Sequence, residues 1–207
     1  MTVPVNIILD PIAGPSPDDA MAMAMAKRIC SLRKAHDFTF DELAKRAGVS
    51  KGTLVQIEQE RGNPSISTLC RLAATLGVSV ADLVTPANAA RSRVSVISKG
   101  GARRLWTGPN GGSAVLLAGT TGPDMLEVWQ WDLRPGERYE SSRHGRGTRE
   151  LIHVTRGKLL LDVDGACTLI ASGGTAIALT DQAHAYANPG TSPVRFFMTV
   201  HEPATTP

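Results

Sequence analysis

The stretch Phe40 to Gln59, FDELAKRAGVSKGTLVQIEQ, decides how the first half of this chain folds. Leu43, Ala47, Val49, Leu54 and Ile57 are apolar at the positions where two short helices crossing at roughly 90–120° must touch. Ala44 is small, as close helix contact requires, and Gly48 can take the positive φ of a sharp turn. Thr39 and Glu42 have the spacing of a capping box, and Ser50 can accept the first free amides of the second helix. The stretch predicts a helix-turn-helix whose second helix is made to enter a DNA groove.

Working outward, Ser65 can cap a segment running to Leu76, with Gly77 in the usual stop position. Ser79 and Asp82 suggest one more short helix, Val80 to Val84. Upstream, Ser16-Pro17-Asp18-Asp19 supplies a cap, a proline at the first helical position and acids that suit the positive dipole end. That gives about five helices ending near Thr85.

From Lys27 to Val84 this pattern resembles the lambda-repressor-like, XRE-type helix-turn-helix family. The resemblance implies an all-α bundle of five helices whose third lies in the major groove. Carried onto this sequence, Lys51, Gln56 and Gln59 are the base-edge contacts and Val55 meets a thymine methyl. Ser50, Thr53, Arg61 and Asn63 complete the DNA-facing set, the last three placed for phosphates. Phe40 departs from the pattern, standing where many relatives carry a phosphate-binding glutamine.

At 207 residues the chain exceeds what one small bundle needs, so a second domain is expected. The reading divides it into a loose, proline-punctuated amino terminus (1–15), a helix-turn-helix domain (16–85), a linker (86–92) and a second domain (93–207). The formal net charge is only +3. Its distribution is more informative: Lys27, Arg28, Arg33, Lys34, Lys45, Arg46, Lys51, Arg61 and Arg71 crowd the helical half, where they offer sequence-independent attraction to phosphate. Cys30, Cys70 and Cys167 lack the paired spacing of a zinc knuckle or redox motif, and their odd count argues against a disulfide framework. Buried reduced thiols are expected. No stretch reaches the roughly 18–20 apolar residues of a membrane span, and residues 1–15 lack the basic start of a signal peptide, so the expected location is cytoplasmic.

Beyond Thr85 the helix period gives way to short β-type runs separated by glycine, proline and asparagine. Expected strands are 93–98, 103–106, 114–118, 125–133, 151–155, 158–163, 167–171, 175–179 and 194–200. Regular spacing with many turns argues an all-β sandwich or barrel. Two clusters have a recognisable order: Gly136, His144, Arg146, Glu150 and Gly157, then Gly173, His184 and Asn188. They resemble the two motifs of the cupin family, a double-stranded β-helix or jelly roll.

In metal-binding cupins the motifs supply three histidines and a glutamate, and the resemblance puts His144, Glu150 and His184 on those places. Arg146 stands at the remaining one, and a guanidinium has no lone pair for a cation. Two histidines and a carboxylate still form a facial or open site for zinc, iron, manganese or nickel. The competing reading is an organic-ligand cavity, with Arg146 pairing to a carboxylate or phosphate and Trp129, His144, Glu150, His184 and Tyr186 around it. His184 and Tyr186 share one face of an alternating strand, and Glu127, Trp129 and Trp131 share another, where the tryptophans also serve as plain core. His153 and His201 have no evident partner and read as surface or satisfied core residues.

Joined, the halves resemble bacterial XRE-type regulators with a carboxy-terminal cupin. The resemblance implies a non-enzymatic, homodimeric DNA-binding protein on an inverted-repeat operator of double-stranded DNA, with a small-molecule effector in the barrel and repression relieved by ligand. The alternatives are a metal-dependent dioxygenase or isomerase tethered to a DNA-binding domain, and a barrel that serves only as a dimerisation platform.

Overall fold

The computed structural model describes residues 17–62, 64–84, 94–98, 101–120 and 124–204, with the side chains of residues 17–21 excluded. The expected amino-terminal segment 1–15, the linker 86–92 and Asn63 lie outside the described residues. Five helices come first: α1 (Pro17–Ala35), α2 (Phe40–Ala47), α3 (Lys51–Glu58), α4 (Ile66–Leu76) and α5 (Val80–Val84). The local signals at their ends act as expected. Thr39 Oγ1 accepts from the Glu42 amide at 3.2 Å while Glu42 Oε2 accepts from the Thr39 amide at 2.8 Å, closing the capping box. Ser50 Oγ accepts from the Thr53 amide at 3.0 Å. Gly48 ends α2 in the left-handed region at φ 63°, which a residue with a Cβ enters only with strain.

Leu43, Leu54, Ile57, Leu69 and Leu72 fill the space between the helices and are shut off from solvent. One charged group is built into this packing. Arg33 on α1 reaches Glu58 on α3 through two parallel bonds of 2.7 and 2.9 Å, donates a third to the Phe38 carbonyl at 3.0 Å and lies over the Phe40 ring. This arginine therefore holds α1 to α3 and is not part of the phosphate-attracting set in which its charge alone placed it. The Phe40 ring belongs to the same packing, lying under the Arg33 guanidinium.

The second half holds two antiparallel sheets. Its strands are β1 (Arg103–Thr107), β2 (Ser113–Gly119), β3 (Met125–Leu133), β4 (Arg138–Ser141), β5 (Arg149–Arg156), β6 (Lys158–Val163), β7 (Ala166–Ala171), β8 (Thr175–Leu179), β9 (His184–Ala187) and β10 (Val194–Glu202). One sheet has the order β1-β2-β3-β10-β5-β8 and the other β4-β9-β6-β7. Period-2 alternation sends Glu127, Trp129 and Trp131 of β3 inward with Phe196, Met198 and Val200 of β10. Trp131 stacks on Phe196 with ring centroids 5.9 Å apart. The buried Glu137 carboxylate accepts from the amides of Asn110, Gly112 and Arg134, and so pins the turn before β4 to the turn between β1 and β2. Asn188 does similar work, donating to the carbonyls of Leu133 and Ser192.

Three expectations fail here. Residues 94–98 form no strand: Val94 and Val96 alternate with serine in sequence, yet Val94, Val96 and Ile97 stand exposed. Strand β4 was not expected as a strand, whereas β9 is the strand on which His184 and Tyr186 were expected. Cys167 is exposed on β7 and not buried, while Cys30 and Cys70 are half-buried, and all three are free thiols.

The helices and sheets share one continuous apolar core. α5 lies against β2 so closely that a Cβ on Gly119 would sit 2.4 Å from the Ala81 Cβ, which makes glycine the residue that permits the approach. The Ala81 amide, one of the free donors at the start of α5, bonds Glu127 Oε1 at 3.2 Å. Glu127 Oε2 accepts from Trp129 Nε1 at 3.1 Å. The helical unit is thus tied to the barrel through a buried carboxylate.

Candidate nucleic-acid interface and barrel cavity

The helical site is an outward face. Leu54 and Ile57 anchor α3 to the core, which turns Lys51, Gly52, Gln56 and Gln59 to solvent. Val55 and Thr53 are half-exposed on the flanks, and Arg61 stands exposed just beyond the helix. Thr53 Oγ1 lies 2.7 Å from Ser50 Oγ, so Ser50 both caps α3 and orients its neighbour. Lys51 Nζ sits 2.8 Å from Asp41, an exposed pair that is cheap to open. Among the described residues nothing from the barrel covers the exposed side chains of α3.

The second site is inward. His144, Glu150 and His184 come together with one ligand atom from each within 4.8 Å of the others. Glu150 is fully buried on β5, His184 is buried on β9, and His144 is half-buried in the loop after β4. Glu150 Oε1 lies 3.4 Å from His144 Nε2 and 3.5 Å from His184 Nε2. Tyr186 donates to the other oxygen, Oε2, in a short hydrogen bond.

The tautomer of His184 follows from its partner. Nδ1 lies 2.9 Å from the Gln182 carbonyl, which can only accept, so Nδ1 carries the proton. In the neutral ring, Nε2 then turns a lone pair toward the carboxylate oxygen, an arrangement that requires a proton or a cation between them. A histidine whose far nitrogen bonds a backbone carbonyl and a carboxylate whose far oxygen accepts from tyrosine are the outer partners that a metal site uses. The residues therefore fit a divalent ion. Burial works to lower the His144 pKa, but the neighbouring Glu150 carboxylate reverses this and raises it. Burial works to raise Glu150, and the two histidines bring it down to about 2.

Above this cluster is a partly enclosed cavity of about 40 Å³. Its floor and walls are Trp129, Trp131, Tyr139, His144, Glu150, Tyr186, Met198 and Glu202, and its roof is Ile66, Cys70 and Ala73 of α4 with Val80 of α5. Two lining residues carry polar atoms sealed from solvent without a hydrogen-bond partner, Trp131 Nε1 and Glu150 Oε1, and His184 Nε2, next to Glu150, is a third such atom. Burial pushes the Glu127 carboxyl above its ordinary range, against the opposing pull of the Ala81 amide and the Trp129 indole.

The structure thus brings together five of the six expected barrel residues, Trp129, His144, Glu150, His184 and Tyr186. Arg146 is not among them: it stands exposed in the 142–148 loop and does not line the cavity. Sequence reading missed the roof entirely, along with Tyr139 and Glu202. His153 and His201 are engaged with Thr175 and Asp124.

An exposed reading helix on a capped bundle, joined to a β-sandwich with a polar interior, defines a DNA-binding regulator. A helix-turn-helix family model matches residues 31–83 and a cupin domain model matches residues 129–200. The chain is 26% identical over 184 residues to the HTH-type transcriptional regulator SutR of Escherichia coli strain K12, covering 88% of this chain and 97% of that one. It is 38% identical over 66 residues to an HTH-type transcriptional regulator, y4dJ, of Sinorhizobium fredii, covering 32% of this chain and 86% of that protein. The crystal structure of an HTH_3 family transcriptional regulator from Vibrio cholerae superposes with a TM-score of 0.71 at 27% identity, over 90% of this chain and 99% of that one. The chain belongs to the XRE-type helix-turn-helix transcriptional regulators that carry a cupin domain. No described helix is long and apolar enough to cross a membrane.

Proposed function

We propose that this protein is a cytoplasmic, homodimeric repressor that reads an inverted-repeat operator and is released by a small molecule bound in its barrel. The operator is read by domain 16–85: Lys51, Gln56 and Gln59 at base edges, Val55 at a thymine methyl, and Ser50, Thr53, Arg61 and Asn63 around them. The domain 93–207 is a jelly-roll sensor and not an enzyme, a reading supported by the regulator names of its relatives.

The observation that carries the sensor reading is the roofed cavity. Sealed polar atoms without partners are rare in native proteins and call for an occupant. Because α4 and α5 form the roof, an occupant that fits one position of the helical unit better than another shifts that unit. Coupling of about 1–3 kcal/mol would change operator affinity roughly 5- to 150-fold. A divalent ion held by His144 Nε2, His184 Nε2 and Glu150 Oε1 would supply an open coordination position for an effector oxygen, while Tyr186 and the Gln182 carbonyl keep the ligands aimed.

Pairing is supported by an apolar strip on the outside of the barrel. Leu151 of β5 faces Ile177 of β8 across the ladder, Leu179 follows, and all three are exposed beside the free edge of β8. Two copies joined there would carry two reading helices to half-sites about one helical turn apart, roughly 34–36 Å, or a multiple of it. Selection of bound fragments from genomic DNA, with Ile177→Asp as a monomeric control, tests the whole reading. It should return an inverted repeat for the parent protein and a far weaker single half-site for the variant; fragments without two-fold symmetry would overturn it.

A further inference from the structure

A second, larger space adjoins the cavity, about 470 Å³, between the last turn of α2, the outer side of α4 and the 142–145 loop. The two spaces meet at Cys70, Ala74, His144 and Glu202, which border both. Their charges are sorted. The inner cavity is lined by Glu127, Glu150 and Glu202, with no lysine or arginine among its described lining residues. The outer cleft carries Lys45, Arg46, Arg71 and Arg143 against the single carboxylate of Glu202, and none of these four cations forms an ion pair among the described residues.

We propose that this cleft seats a small organic anion whose carboxylate or phosphate group bridges Arg71 of the helical unit to Arg143 of the barrel. The proposal rests on the sensor reading and deepens it, giving the effector a place and a charge. Arg71 carries the argument. Its Nε is closed off from solvent and has no acceptor, whereas Arg33 spends its guanidinium on Glu58 and the Phe38 carbonyl. Arg71 lines the cleft without an ion-pair partner among the described residues, and an oxyanion seated there meets its guanidinium with charge-assisted bonds. A duplex phosphate held on a rigid helix cannot follow into a cleft between α4 and the 142–145 loop, but a small anion can. Arg143 stands on the opposite wall, on the chain segment that carries His144, so an anion spanning the cleft holds the helical unit to the barrel in one orientation.

The test is calorimetric titration of the full-length protein with citrate, succinate and inorganic phosphate, each against potassium chloride at matched ionic strength. Saturable binding of at least one is expected, weakened by about tenfold or more in Arg71→Gln and in Arg143→Ala and unchanged in Arg156→Ala, an exposed arginine outside the cleft. Arg143 is exposed, so its variant decides the matter even if Arg71→Gln fails to fold. Binding of carboxylates alone or of phosphate alone supports the seat and names the source of the oxyanion. Heat no greater than with chloride, or binding that survives Arg143→Ala, overturns it. So does a loss of random-duplex affinity in Arg143→Ala without small-anion binding, which would make the cleft a DNA backbone contact. Anion binding that leaves operator affinity untouched keeps the seat and removes the sensor reading; an operator response to a metabolite without anion binding does the reverse.

Discussion

The outer face of α3 and the inner wall of the barrel both present polar side chains, yet their relation to water is opposite. Lys51, Gln56 and Gln59 are solvated, and their hydrogen-bonding capacity is spent only when a duplex arrives. Glu127, Glu150 and His184 are buried, so each must find a partner inside the protein or leave a desolvated group unpaired. Changes to the first set should alter recognition and leave the fold alone. Changes to the second should alter both.

Arg33 is the sharpest case, since by composition it belongs with the surface cations and by structure it does not. Arg33→Ala leaves Glu58 buried without its cation and should cost about 3 kcal/mol in urea denaturation, whereas Lys51→Ala should stay within about 0.5 kcal/mol. Similar losses for the two would erase the distinction between inward and outward charge. Glu127→Ala strands the Ala81 amide and the Trp129 indole and should cost about 2 kcal/mol. It should also loosen the roof, read as faster alkylation of Cys70 in a variant lacking Cys30 and Cys167; a lower melting temperature with unaltered Cys70 labelling would mean that Glu127 does not hold the two units together.

Ser50 lies between the two sets, exposed yet structural. Its replacement by alanine removes the cap of α3 and should cost about 1 kcal/mol of stability, lowering affinity for operator and random duplex alike. A loss confined to operator would make Ser50 a base contact. The smallest effect belongs to Glu42, whose pKa is lowered chiefly by its hydrogen bond from the Thr39 backbone. A carboxyl with a lowered folded pKa is fully stabilising above the usual glutamate range and loses that contribution as pH falls through its lowered value. The helical signal of the intact protein should therefore soften slightly on acidification below about pH 4.5, and Glu42→Gln should remove that share of the pH dependence.

How far these features were readable depends on whether their cause is local. The capping box, the left-handed turn at Gly48 and the alternation of β3 are written within a few neighbouring residues, and the structure has them where the pattern puts them. The burial of Glu127 with Trp129 and Trp131 follows from the same period. Strand β4 escaped because its four residues, Arg138 to Ser141, contain no aliphatic side chain to mark an inward face. The segment 94–98 misled in the opposite way, its β-type residues standing exposed and forming no strand. The roof of the cavity was invisible because Cys70 and Ala73 meet Trp129 and Tyr186 only through the docking of separate units. Arg146 was placed by motif position, which does not say which way a loop side chain turns.

Binding of Gln56→Ala and Arg61→Ala to a selected operator and to a random duplex, across a salt series, tests the central claim that the exposed face of α3 reads base pairs. Gln56→Ala should lose about 1–3 kcal/mol on the operator and nothing on the random duplex, while Arg61→Ala should weaken both and flatten the salt dependence. Equal losses for Gln56→Ala on the two duplexes would contradict that claim.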